Sequence, residues 1–139
     1  MQRFVLQKIV ICVVHKIQFP YDTIRTLLDI RENDMRNSSS LVKSLFFNEK
    51  YNILKLGNKY PDELSGGELQ KIYLYRAITK DSDIIFLDEP TSAMDIYSSK
   101  KVYTLLEKMK SNKIIIIITH NREFENIADE IIELKDAFL

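Results

Sequence analysis

Glycine is scarce in this chain of 139 amino acids: only Gly57, Gly66 and Gly67 are present. A phosphate-binding loop of the G-x-x-x-x-G-K-[ST] type needs bare backbone at both glycine positions, and no pair here has that spacing, so the sequence contains no such loop. A G-x-G-x-x-G dinucleotide fingerprint fails by the same count. Cysteine is nearly absent as well. Cys12 alone excludes an intrachain disulfide or a cysteine-based zinc site, and its isolation fits a reducing compartment, the cytoplasm by default. Charge of one sign is missing too: 20 Lys plus Arg stand against 20 Asp plus Glu, which argues against a nucleic-acid or anionic-membrane partner. The longest apolar run, Ile9 to Val14, falls far short of the roughly 20 residues that span a bilayer. Arg3 before Phe4-Val5-Leu6 mimics the start of a signal peptide, but Gln7 and Lys8 interrupt it and no cleavage site follows, so no export signal is read.

What remains is an ordinary globular composition, 45% hydrophobic and 29% charged, enough to bury one core. Phe4 to Val14 reads as one or two strands feeding a loop before Pro20. From Thr23 to about Asn58, Leu27, Leu28, Leu41, Leu45 and Phe46 recur at helical spacing, with N-cap candidates over Asn37-Ser38-Ser39-Ser40 and a stop at Gly57-Asn58 before Pro61. The spacing predicts a helix from Gly66 to about Lys80, a strand over Asp83–Leu87 and a turn over Glu89-Pro90-Thr91-Ser92. Val102, Leu105, Leu106 and Met109 then mark an amphipathic helix. The five isoleucines Ile114–Ile118 predict a parallel strand covered on both faces; a short helix over Asn121–Ala128 and a last strand over Glu130–Leu134 follow. Strands alternating with helices imply an α/β doubly wound architecture.

Two constellations carry chemistry. Leu64-Ser65-Gly66-Gly67-Glu68 opens a helix, and Ser65-x-x-Glu68 has the form of a capping box, which any helix can use. Two glycines in the first turn cost roughly 1 kcal/mol each against alanine, however, so their presence requires a reason. Bare amides at the positive end of a helix suit a phosphate. The second constellation is Asp83 to Pro90, an apolar strand ending in Asp88 and Glu89. Two consecutive carboxylates there either form a solvated acidic turn or serve a hydrated Mg²⁺ and an attacking water, one carboxylate for each because successive strand side chains alternate. His120, after the isoleucines, is expected at the same carboxyl edge, where open parallel sheets bind ligands. Asp95 reads as the N-cap of the next helix, with room for a second role.

Together these residues resemble the ATP-binding cassette (ABC) ATPases. Leu64-Ser65-Gly66-Gly67-Glu68 is similar to their signature motif, with Gln70-Lys71 and Arg76-Ala77 continuing that helix. Ile84 to Glu89 resembles the Walker B strand with its catalytic glutamate, Ser92-Ala93-Met94-Asp95 the D-loop, and Ile118-Thr119-His120 the switch histidine. Ala128 to Asp136 resembles the segment that follows, so the likeness runs in register over about half of the chain. Asp88 to Asp95, and Tyr60-Pro61-Asp62-Glu63 ahead of the signature, look like the transporter branch.

The resemblance implies an α/β fold: a partial P-loop NTPase core of the RecA-like, ABC type with parallel strands, plus a helical subdomain. It assigns residues 1–22 to a core strand and the Q-loop region, 23–80 to the helical subdomain with the signature helix, and 81–139 to the second half of the core. By it, Ser65, Gly66 and Gly67 contact the γ-phosphate of ATP bound to a partner, Glu68 belongs to the same cofactor-binding set, and Asp88 holds Mg²⁺ through water. Glu89 activates the hydrolytic water, His120 contacts the γ-phosphate, and Asp95 lies at the dimer seam. The implied partners are a second nucleotide-binding cassette or a P-loop-bearing chain, and transmembrane transporter subunits that keep the protein on the inner face of the membrane. The departures are the missing P-loop, with the first strands and the adenine-stacking aromatic also absent; His15 or Lys16 in place of the Q-loop glutamine; Tyr73 and Tyr75 where small residues are usual; and Ala137 in place of a turn glycine. The expected function is the ATP-hydrolysing subunit of a transporter, in its C-terminal part, with negligible turnover by the chain alone. The alternative is a non-catalytic module that docks on a complete cassette.

Overall fold

The computed structural model describes residues 11–14, 23–28, 39–48, 52–80 and 82–132. Three strands, β1 (Ile11–Val14), β2 (Ile84–Asp88) and β3 (Ile114–Ile118), form a parallel sheet in the order β1-β2-β3. Ile85 pairs with Cys12 on one side and Ile115 on the other, and the β2–β3 register ends with Asp88 opposite Ile118. All three strands therefore point their carboxyl ends to one edge, the edge that carries Asp88, Glu89 and His120.

Helices α1 (Ile24–Leu28), α2 (Ser40–Phe46) and α3 (Ile53–Leu56) are short. The first amides of α1 have no partner within their own helix. Ile24 and Arg25 donate instead to the carbonyls of Lys59 and Gly57, at 3.0 and 2.9 Å, which ties α1 to the stop of α3. Gly57 ends α3 as expected, though in a right-handed conformation with φ −56°. A single turn of 3-10 helix, Pro61–Glu63, leads into α4 (Gly66–Thr79). This helix packs on α1, α2, β1 and β2. Its Ile72, Leu74, Tyr75 and Ala77 are buried, and Tyr75 presents its ring to the edges of Phe46 and Phe47 with centroids 5.2 and 5.7 Å apart. The aromatic at a position usually small is thus accommodated by two phenylalanines of α2 and its C-cap.

Helix α5 (Ile96–Met109) begins at Asp95, whose carboxylate accepts from the Ser98 amide at 2.9 Å, and buries Val102, Leu105 and Leu106. Lys101 on its flank donates to the Ser44 carbonyl at 3.2 Å, near the negative end of α2. The buried apolar residues of helices and sheet form one cluster running from Ile24 to Phe124.

The structure departs from the sequence expectations in three places. The short helix expected over Asn121–Ala128 is confined to residues 122–126, as a 3-10 helix capped by Asn121 through the Glu123 amide at 3.0 Å. Glu130 to Ile132 are irregular, so the final strand is not present there, and the rest of that expectation lies outside the described residues. The third departure concerns the isoleucine strand. Ile115 and Ile117 face the core, but Ile114, Ile116 and Ile118 are 51, 40 and 59% exposed, so among the described residues nothing covers that face of β3. A continuous apolar run reports that both faces are suited to burial; it does not report which residues cover them. The strand expectation over Phe4 to Val10, the N-caps Asn37 and Ser38, and His15, Lys16 and Ala137 also lie outside the described residues.

Candidate functional site

The acidic end of β2 is built by a break in the strand. Asp88 still pairs in register with Ile118 and is exposed. Glu89 leaves the ladder with φ +45°, a left-handed conformation that costs a non-glycine residue of order 1–3 kcal/mol and persists only where neighbours enforce it. Here they do. The Glu89 amide donates to the Ile118 carbonyl at 2.8 Å, and the Glu89 carbonyl accepts from Gln70 Nε2 at 2.6 Å and from the Ser92 hydroxyl at 3.2 Å. The kink turns the side chain across to the end of β3.

There the carboxylate accepts three bonds: from the His120 amide at 2.9 Å, from His120 Nδ1 at 2.7 Å and from the Thr119 hydroxyl at 3.0 Å. Burial pushes the Glu89 carboxyl up, but the His120 amide, the His120 ring and the Thr119 hydroxyl outweigh it and hold the group below its ordinary value. An ionised carboxylate only accepts, so the proton of the imidazole contact sits on Nδ1, which leaves Nε2 of the largely exposed ring for another partner. Thr119 is itself fixed by the Asn121 amide at 3.0 Å, and Asn121 donates to the Tyr103 hydroxyl at 2.7 Å. Tyr103 of α5 stacks edge-on against Phe124, centroids 4.6 Å apart, so the segment after β3 is anchored to a helix.

The start of α4 is the second part of the site. The capping box forms: the Ser65 hydroxyl accepts from the Glu68 amide at 3.3 Å, and Glu68 Oε2 accepts from the Ser65 amide at 2.9 Å and the Ser65 hydroxyl at 2.7 Å. Those bonds from Ser65 hold the Glu68 carboxyl below its ordinary value. The two glycines then part ways. A Cβ on Gly67 would lie 2.6 Å from the Ala93 carbonyl oxygen, whereas a Cβ on Gly66 would meet only the Ala93 methyl, at 3.8 Å. Gly67 is therefore explained by its own chain, as a close approach between α4 and the turn after β2. Only at exposed Gly66 is the bareness left unexplained by packing, in a first turn whose amides no helical carbonyl can reach.

Gln70 joins the two parts. Its Nε2 donates to the Glu89 carbonyl at 2.6 Å and to the Ser92 hydroxyl at 3.0 Å, and its Oε1 accepts from the Ala93 amide at 2.9 Å. Sequence reasoning placed Gln70 and Thr119 inside motifs but gave them no task. The signal available for Gln70 was its position one turn beyond Gly66, on the side of the helix where Gly67 permits close approach. Asp95 holds the start of α5 through the Ser98 amide and hydroxyl, both at 2.9 Å.

Among the described residues no group of three or more His, Cys, Asp or Glu side chains converges on one point. Asp88 alone matches the way Mg²⁺ is commonly held, by one or two carboxylates while waters and phosphate oxygens fill the remaining positions. No helix among the described residues is long and apolar enough to cross a membrane.

Known proteins resemble this chain in sequence and in fold. A family described as ABC transporter matches residues 5–92. The macrolide export ATP-binding/permease protein MacB of Brucella abortus (strain 2308) is 43% identical over 90 residues, covering 62% of this chain and 14% of that protein. The pyoverdine export ATP-binding/permease protein PvdT of Pseudomonas fluorescens (strain Pf0-1) is 41% identical over 86 residues, 61% of this chain and 13% of that protein. The chain thus matches only a small part of the length of such relatives. Among solved structures, the dimeric cassette MJ0796 in a post-hydrolysis state bound to ADP and Pi overlays with TM-score 0.66 at 22% identity, over 87% of this chain and 56% of that one. The complex of archaeal ribosomal stalk protein aP1 with ribosome recycling factor aABCE1 gives TM-score 0.67 at 23% identity, over 92% of this chain and 25% of that one. These two overlays speak to fold alone.

Proposed function

The chain belongs to the ABC transporter family, and from that premise we propose that it supplies the second half of a nucleotide-binding cassette which couples ATP hydrolysis to transport across a membrane. The observation that carries the proposal is the meeting of Glu89 and His120 at 2.7 Å across the ends of two neighbouring strands, beside exposed Asp88. In this reading residues 1–22 are part of the core ahead of the helical subdomain, 23–80 are that subdomain and 81–139 complete the core. Asp88 holds the hydrated Mg²⁺ of the nucleotide. Glu89 orients and deprotonates the attacking water once the His120 ring swings off its carboxylate, and Nε2 of His120 reaches the γ-phosphate.

Ser65, the Gly66 amide and the positive end of α4 face the γ-phosphate of ATP held by a partner cassette, with Gly67 and Glu68 shaping that turn. Asp95 holds the dimer seam in place through α5. The partners are a P-loop-bearing chain or second cassette, and transmembrane subunits that keep the assembly at the cytoplasmic face. No nucleic acid is involved, in keeping with the zero net charge.

The test is hydrolysis of Mg-ATP. The purified chain turns over no ATP by itself, because no glycine pair has the P-loop spacing. Co-expression with a polypeptide that carries a G-x-x-x-x-G-K-[ST] phosphate loop restores turnover, and Glu89→Gln removes it while nucleotide binding persists. Robust turnover by the chain alone, or restored turnover indifferent to Glu89→Gln, overturns the reading.

A further inference from the structure

Tyr103, half-buried on the flank of α5, makes a contact that packing does not require. Its ring is accounted for by Phe124, on which it stands edge-on, and a phenylalanine would serve that contact as well. The hydroxyl is a separate matter. It accepts from Asn121 Nδ2 at 2.7 Å. Burial holds the phenol above its ordinary value, while a hydrogen bond with Thr91 draws it down and one with Glu123 pushes it up. Thr91 is buried in the turn that follows Glu89, so one side chain meets both that turn and the segment that carries His120.

Asn121 has no freedom to flip. Its Oδ1 accepts from the Glu123 amide at 3.0 Å, which turns Nδ2 toward the phenol, and its backbone amide donates to the Thr119 hydroxyl at 3.0 Å. Thr119 in turn donates to Glu89 Oε2, while the His120 amide and Nδ1 donate to Oε1. Residues 119–121 lie beyond the β2–β3 ladder, whose register ends at Ile118. Side chains hold them instead, Glu89 on one side and Tyr103 on the other.

We propose that Tyr103 is a positioning residue: its hydroxyl, through the side-chain amide of Asn121, holds the segment after β3 where Thr119 and His120 both reach Glu89, which keeps the imidazole proton on Nδ1 and leaves Nε2 free. Its effect on rate rests on the nucleotide-binding reading above; its effect on the imidazole does not. The bonds that a ring makes decide which of its nitrogens carries the proton, so the tautomer reports where the segment sits.

The test is nitrogen NMR of the His120 ring in the full ¹⁵N-labelled chain at about pH 8, where an ordinary imidazole is neutral, with the signals assigned by their loss in His120→Gln. The wild-type ring should show the Nδ1–H tautomer. Tyr103→Phe keeps the ring contact and should lower the ratio of Nδ1–H to Nε2–H about 2–10-fold, the factor that one ordinary hydrogen bond supplies. Asn121→Ser, which can still cap residues 122–126 but is too short to reach the phenol, should do the same. The double variant should do no more than either change alone. An unchanged ratio in Tyr103→Phe, an Nε2–H ring in the wild type, or additive effects in the double variant overturns the proposal. Methyl signals of Ile85 and Leu87 report whether each variant keeps its core, and a variant that loses them leaves the other to decide. In the complemented ATPase assay, Tyr103→Phe should lower kcat by the same factor with KM for ATP unchanged; an unaltered kcat overturns the positioning role. If complementation restores no turnover, the nucleotide reading falls and the tautomer alone decides this one.

Discussion

The two faces of the β2–β3 pair are written in the same residues and live in opposite surroundings. Ile85 and Leu87 are fully buried, and Ile115 and Ile117 pack on the same core, while Ile114, Ile116 and Ile118 one step away meet solvent. Hydropathy therefore records what a position is fit for, and only the fold tells whether the cover is at hand. The two glycines of α4 repeat the contrast on a smaller scale. The space a side chain on Gly67 would need is taken up by the Ala93 carbonyl, whereas one on Gly66 would make only an ordinary contact with the Ala93 methyl.

The sharpest way to break this comparison is to cut the two faces equally. Ile85→Ala should cost about 2–5 kcal/mol of unfolding free energy, because it leaves a cavity in the core, whereas Ile116→Ala should stay within about 0.5 kcal/mol. Urea unfolding of the two variants measures both, and equal losses would mean that the face is covered. Next in size are the glycines. Gly67→Ala forces a Cβ to within 2.6 Å of a backbone carbonyl and should cost about 1–3 kcal/mol. Gly66→Ala should be neutral or stabilise by up to about 1 kcal/mol through helix propensity, by the same assay. Ser65→Ala removes the cap of α4 and should cost about 1 kcal/mol.

The smallest effect is electrostatic. Glu68 and Glu89 have folded pKa values below their ordinary 4.5, so each stabilises the fold while ionised. That contribution is complete above about pH 4.5 and is lost as the pH falls through the lower folded values. Urea midpoints measured from pH 6 downward should fall on acidification below roughly pH 4.5, and Ser65→Ala, which removes the hydroxyl donor to Glu68, should flatten part of that fall.

Much of this architecture was legible before any coordinates. The capping box of Ser65 and Glu68, the Asp95 cap, the stripe of Val102, Leu105 and Leu106, and the strand ending at Asp88 all follow from local chemistry, since each depends on residues within a few positions. The convergence of Glu89 and His120 was legible only through the rule that parallel strands share a carboxyl edge. What escaped reading depends on distant partners. The reason for Gly67 is Ala93, the task of Gln70 is a turn nineteen residues away, and the left-handed backbone of Glu89 is imposed by bonds from two other elements. The expected last strand is missing over residues 130–132 for a related cause: apolar character alone does not create a ladder partner.

Gln70 also has a mechanical consequence. Its amide grips the backbone on both sides of the acidic turn, and Gly67 lets α4 sit hard against the same turn, so helix and turn are clamped like two links of a lever. A pull arriving through α1 and α2, both packed on α4, reaches the backbone of Glu89 without any nucleotide in between. Displacement of the helical segments thus reaches the backbone that carries the Glu89 carboxylate, through packed side chains and two amide hydrogen bonds.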